Sequence, residues 1–385
     1  MTHLSCDAVV VGAGFAGAAT AYHLVRLGLR DVVVLEQEPL AGVHASGRNA
    51  GMIREAVLPP AIQPLAREGA AFIRKPPSDL DPAPSFRRCG ALMLADEVRA
   101  PSLKAWVEGA ERVGVEACWL EPGEVEARVP ATTGAAFAGA AFCPNDGVVD
   151  IAALLHGYLQ AAVRGGARVL TSHRVLLIVV ENGKVAGVET DRASFATPLL
   201  VNAAGAWASE LGKAAGAAPL SLRPCRRHLF VSGRLDWVEP GWPIVWDLSH
   251  ALYFRPEPPG LLLSACDETE QAPGPAATDA AVGEVLAAKL TRYVPRLADL
   301  SIARSWACLR TLSPDGSFLV GRDPMLQGFV WCAGLGGHGV TVGPAVGRLA
   351  AEAALGQPSS PAHSPERFVG SRRPAADRTA VPPKL

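Results

Sequence analysis

Residues 7–17 read Asp7-Ala8-Val9-Val10-Val11-Gly12-Ala13-Gly14-Phe15-Ala16-Gly17, and this stretch decides the fold. Its apolar run suits a short strand buried on both faces of a parallel sheet. The glycines that follow have the spacing GxGxxG. Gly12 permits a tight turn, Gly14 lets the backbone approach a pyrophosphate, and Gly17 lets a helix lie close on the strand. A helical pattern runs from Ala18 to Leu27, with Ala21, Leu24 and Leu27 as inward positions, and Gly28 ends it. A second strand, Asp31-Val32-Val33-Val34-Leu35, delivers Glu36, 19 residues beyond Gly17. The helix N-terminus, with roughly half a positive charge, would face phosphates. Glu36 would accept hydrogen bonds from a ribose. The unit predicts an α/β, Rossmann-like domain that holds a dinucleotide; on this segment alone a nicotinamide nucleotide remains open.

The next stretch, Gln37 to Arg54, is polar, rich in small residues and without a helical or strand period. Its centre, His44-Ala45-Ser46-Gly47-Arg48-Asn49-Ala50-Gly51, suits a loop whose N–H groups and Ser46 hydroxyl meet a second phosphate or a flavin edge. The alternative is a plain solvated connection. Taken with the first 36 residues, this loop resembles the D-amino-acid oxidase superfamily of FAD enzymes, and within it the D-arginine dehydrogenase branch. Two later segments extend the resemblance. A helix from Asp150 to Arg164 leads to a strand ending in Asn202-Ala203-Ala204-Gly205-Ala206-Trp207, and Gly328–Leu355 gives a strand, Gly334-Leu335-Gly336-Gly337-His338-Gly339, and a helix from Val340.

The resemblance implies an α+β chain with a discontinuous FAD-binding domain (1–85, 144–218 and 306–356). An antiparallel-sheet substrate domain (86–143 and 219–305) and a loose tail (357–385) complete the expected layout. It implies FAD contacts at Gly12, Gly14, Ala16, Gly17, Glu36, Gln37 and the loop residues Ser46, Gly47, Arg48, Asn49, Ala50 and Gly51. Further contacts are expected at Val175, Ala203, Ala204, Gly205, Trp207, Gly336, Gly337, His338, Gly339, Val340 and Thr341. The last helix would stabilise negative charge on the flavin pyrimidine edge.

The chemistry implied is oxidation of a C–N bond by hydride transfer from Cα to flavin N5. An arginine fork best fixes the substrate carboxylate for it. By resemblance, Arg310 and Tyr253 grip that carboxylate and Arg227 is a further clamp candidate. His44 and His338 are candidate proton acceptors, and the Gly337 carbonyl a holder of the amine. A D-amino acid is the expected substrate, deaminated to a 2-keto acid and ammonia. The acid and tyrosine that the D-arginine branch uses for a basic side chain are missing, with Arg88–Leu92 lacking an acid and Ile53 in the tyrosine's place. A neutral or apolar side chain is therefore expected. A sarcosine- or glycine-type amine, a 2-hydroxy acid, and a non-catalytic FAD-binding regulatory protein remain alternatives. FAD is expected to be non-covalent, with a thioether to Cys308 the lesser possibility.

Bulk properties set the remaining expectations. In 385 residues, 36 Lys plus Arg nearly cancel 37 Asp plus Glu, which speaks against nucleic acid as partner. No uncharged apolar run reaches the ~18 residues of a membrane span, and the start lacks a signal-peptide pattern. The eight cysteines form no CxxC pair, so no metal site is expected and a reducing cytoplasm is. A small-molecule substrate is the expected partner, and oxygen, a quinone or a protein could each reoxidise the flavin.

Overall fold

The computed structural model describes residues 2–369. Six strands build the first sheet, in the order Arg168–Leu170, Val32–Leu35, Ala8–Val11, Leu200–Asn202, Phe329–Ala333, Leu319–Arg322. All neighbours are parallel except the last pair. The three segments singled out in the sequence thus lie side by side at its centre. Ala8–Val11 and Val32–Leu35 are buried throughout, as the unbroken apolar runs require.

Helix Phe15–Arg26 packs between Ile151–Arg164 and Gly339–Ala354. The approach to the second of these is close because both helices present small residues: a Cβ on Gly347 would stand 2.6 Å from the backbone of Ala19. The helix expected from Asp150 begins at Ile151, with Asp150 as its cap: the carboxylate accepts from the N–H groups of Ala152 and Ala153, both at 3.0 Å. A four-stranded sheet containing Val175–Glu181 flanks this unit.

An eight-stranded sheet faces it, in the order Ile302–Leu312, Arg223–Ser232, Gly260–Ser264, Leu252–Glu257, Ile244–Asp247, Ala91–Ala95, Gly139–Cys143, Cys118–Leu120. It is antiparallel but for one parallel junction, Ile244–Asp247 against Ala91–Ala95. The boundary placed at residue 306 from sequence falls inside a single strand. Ile302–Leu312 pairs with Arg223–Ser232 along its whole length, so Arg310 belongs to this sheet. Texture could not show this, because the strand's apolar end looks the same in either sheet.

The tail expectation also needs correction for residues 357–369. His363 is buried, its carbonyl accepts from the Val320 N–H at 2.9 Å, and its ring stacks on Phe318 with centroids 5.7 Å apart. Arg367 pairs with Asp315 at 2.7 Å. A non-periodic Pro/Ser-rich stretch can still dock through one ring and one ion pair. Residues 370–385, the rest of that expectation, lie outside the described residues.

Candidate active site

The turn after the first strand is fixed by backbone sterics. Gly12 has φ +102°, and a Cβ on it would stand 2.6 Å from the Ala203 carbonyl oxygen. Only glycine meets both conditions. Gly14 starts the helix without a side-chain cap, and the Phe15 N–H is taken by the Ser46 hydroxyl at 2.9 Å. That bond ties the 37–54 loop to the helix N-terminus. Glu36 accepts from the Ala13 N–H at 2.9 Å and the Glu38 N–H at 3.0 Å, so its carboxylate is held at the same turn.

A cavity of about 380 Å³ opens over these groups. Its lining includes Gly12, Gly14, Ala16, Glu36, Gln37, Ser46, Arg48, Asn49, Ala50 and Val175 from the expected cofactor set. Ala203, Ala204, Gly205, Trp207, Gly336, Gly337, Gly339 and Val340 complete it. The remaining expected contacts lie elsewhere. Gly17 packs against the Gly12 carbonyl beneath the turn, and Gly47 and Gly51 border a second cavity behind the loop. Thr341 is not in the lining either; it accepts from the Arg54 N–H and donates to the Met52 carbonyl. A glycine cradle, an uncapped helix N-terminus and a well-held acid fit a dinucleotide. The partly exposed Leu176 and Leu177 beside Val175 add an apolar rim suited to a base.

The other end of the cavity carries the charged groups. Arg310, Tyr253, Arg227 and Cys308 all line it. Among the described residues Arg310 makes no ion pair, and its guanidinium lies against Gly337, where a Cβ would stand 2.7 Å from a terminal nitrogen. Gly337, with φ +133°, clears that seat. Burial and the neighbouring Arg227 push the Arg310 pKa down. Tyr253 is fully buried, and its hydroxyl, beside Ser264, makes no hydrogen bond of good geometry among the described residues, so a ligand oxygen would complete it. Arg227 differs: it pairs with Glu268 at 2.9 Å, so its charge is already compensated within the protein.

The two histidines sit in different surroundings. His44 pairs with Glu38 at 2.9 Å and lies 4.7 Å from the Trp207 ring, on the cradle side. His338 precedes helix Gly339–Ala354 without a side-chain cap bond, outside the lining, and burial with Arg54 and Arg310 beside it lowers its pKa to about 3. An imidazole so weakened stays neutral and cannot store an amine proton at neutral pH. Burial also raises the Cys308 thiol above its usual value, which lowers the thiolate fraction that a thioether link would need.

Sequence reasoning missed Arg54. Its guanidinium lies over Trp246, 3.8 Å from the ring centre, and among the described residues one terminal nitrogen is buried without a partner. Nearby Asp146 accepts from the Glu55 N–H at 2.7 Å, leaves its other oxygen unpartnered, and is pushed up to about 7 chiefly by burial. An isolated arginine after a loop usually reads as a solvated charge, so nothing in the sequence singled it out.

Among the described residues no helix is long and apolar enough to cross a membrane. Comparison with known proteins finds relatives along most of the chain. The chain is 29% identical over 363 residues to the mouse mitochondrial pyruvate dehydrogenase phosphatase regulatory subunit, covering 89% of this chain and 40% of that protein. It is 29% identical over 381 residues to 4-methylaminobutanoate oxidase (formaldehyde-forming) of Paenarthrobacter nicotinovorans, covering 94% and 45%. The chain therefore spans less than half the length of these two relatives. Among solved structures, L-proline dehydrogenase from P. horikoshii superposes with a TM-score of 0.86 at 24% identity, covering 95% of this chain and 98% of that one. The model of the DAO family, described as FAD dependent oxidoreductase, matches residues 7–353, and the chain belongs to that family.

Proposed function

We propose that this chain oxidises the Cα–N bond of a small amino acid whose carboxylate is gripped by Arg310. One observation carries the reading: among the described residues Arg310 is a cavity-lining guanidinium without an ion-pair partner, in a site where its neighbour Arg227 has one. A cation in a low-dielectric site without a counterion is costly, and a bound carboxylate removes that cost. Tyr253 would supply the second donor. Bound FAD would supply a two-electron acceptor that takes a hydride. The substrate then loses hydride from Cα and a proton from nitrogen, which leaves a C=N bond. Water adds to that bond and expels ammonia, giving a 2-keto acid. With His338 held neutral, the substrate amine would lose its proton to water or enter uncharged.

The D-configuration and the branch nearest D-arginine dehydrogenase rest on sequence resemblance alone. Arg310, which makes no ion pair among the described residues, also opposes a basic side chain, in line with D-arginine as a poor substrate. A secondary amine is favoured as second reading by the likeness to an oxidase of a methylamino acid. A regulatory role is favoured by the likeness to a phosphatase regulatory subunit. The test is anaerobic flavin bleaching against D- and L-amino acids and their N-methyl forms, with ammonia and formaldehyde measured after reoxidation. Bleaching by primary D-amino acids with ammonia release is the expected result. Absence of bleaching by any amine would leave the regulatory reading standing.

A further inference from the structure

Part of the wall at the charged end is neither strand nor helix. Strand Gly260–Ser264 runs on into residues 267–279, which lead to helix Ala280–Tyr293. One fully buried side chain, His228, fixes both ends of this segment. Its Nε2 accepts from the Asp279 N–H at 2.9 Å, so the ring proton sits on Nδ1, which donates to the Asp267 carboxylate at 2.7 Å. That carboxylate also accepts from the His228 backbone N–H at 2.9 Å, and Asp279 caps the helix by accepting from the Ala281 N–H at 3.1 Å. The first arm then lies along strand Arg223–Ser232. There the Arg226 N–H donates to the Thr269 carbonyl at 2.8 Å and the Gln271 N–H to the Pro224 carbonyl at 3.0 Å. Glu268, on this arm, is the partner of the cavity-lining Arg227.

Beyond Gln271 the fixing stops. Among the described residues no backbone hydrogen bond joins Ala272-Pro273-Gly274-Pro275-Ala276-Ala277-Thr278 to another part of the protein. A single contact from the arm, Gln271 Nε2 donating to the Pro275 carbonyl at 3.2 Å, steadies the tip. Yet Gly274 and Ala276 line the cavity while Ala272, Pro275, Ala277 and Thr278 are exposed, so this stretch separates the cavity from solvent. We propose that residues 272–278 form a flap, carried on the roots that His228 fixes, which opens to admit the substrate. An untied tip between rigid roots concentrates motion in the tip, and a shut flap keeps bulk water from the site. Its arm stands at Arg227, so the molecule it admits is the amino acid that Arg310 receives. The inference rests on the carboxylate grip proposed above.

Stopped-flow mixing of the flavin-loaded protein with propionate, a carboxylate that has no amine to oxidise, tests it through the flavin absorbance. A gate makes the observed rate level off at high propionate, where opening becomes limiting. Gln271→Ala, which removes the bond to the tip, should raise that plateau roughly 2- to 10-fold, the worth of one such bond. At Gly274 a Cβ would meet nothing closer than 4.0 Å, so Gly274→Ala should lower the plateau roughly 2- to 5-fold by stiffening the tip. A rate that climbs linearly with propionate throughout would overturn the proposal on the native chain alone. So would a plateau that neither variant moves. No spectral change with propionate at any concentration would sink the carboxylate grip that the flap presupposes, a result distinct from both.

Discussion

The two ends of the cavity solve opposite problems. The cradle around Gly12, Ser46 and Glu36 is made largely of backbone, and two of its groups are held in place by the protein itself: the Phe15 N–H has Ser46, and Glu36 has two N–H donors. The opposite wall is made of side chains, and among the described residues the Arg310 charge makes no ion pair and the Tyr253 hydroxyl no hydrogen bond of good geometry. A satisfied cradle is stable before its ligand arrives, whereas the wall stores a cost that only a ligand removes. Holding a cofactor calls for the first arrangement and selecting a substrate for the second.

The sharpest way to break this contrast is at the wall. Arg310→Met should cost about 2–4 kcal/mol of transition-state stabilisation, a drop of roughly 30- to 1000-fold in kcat/KM for flavin reduction, while bound flavin absorbance stays unchanged. Loss of flavin together with activity would show that wall and cradle are not separable. The cradle should respond in the reverse sense. Gly12→Ala forces a side chain into φ +102° and against the Ala203 carbonyl, so it should lose about 1–3 kcal/mol and release flavin on gel filtration.

The smallest effect concerns the buried acid behind the wall. Asp146 has its folded pKa raised from 3.8 to about 7. The folded state therefore keeps a proton that the unfolded state releases, and the stability this gives is lost as pH rises from about 4 through about 7. Asp146→Asn should gain Tm relative to the native chain between pH 5 and pH 8, by on the order of a few degrees. A gap that does not change with pH would mean that Asp146 stays charged in the fold.

Much of the cradle was legible from the chain because its logic is local. A buried strand, three spaced glycines, a helix and an acid are consecutive, and their steric requirements act over short distances. Gly334–Gly339 could be read for the same reason, since a glycine cluster between strand and helix announces a backbone approach. The wall was legible only where a family pattern pointed to it, as at Arg310 and Tyr253. Nothing local separated Arg310 from Arg227, because what distinguishes them is Glu268, some forty residues from Arg227 in sequence and 2.9 Å away in space. Arg54 was missed on the same grounds: its platform, Trp246, comes from the distant strand Ile244–Asp247.

Sequence by itself therefore determined the glycine turns that line the cavity, the helix that Asp150 caps and the alternation of strand and helix that builds the first sheet. Those follow from steric and hydrogen-bonding rules between near neighbours. Tertiary structure alone decided which strand carries Arg310, which arginine keeps its charge free, and how far His338 is stripped of basicity. Each of these is set by burial and by charges brought together from distant parts of the chain, and a side chain's type carries no record of them.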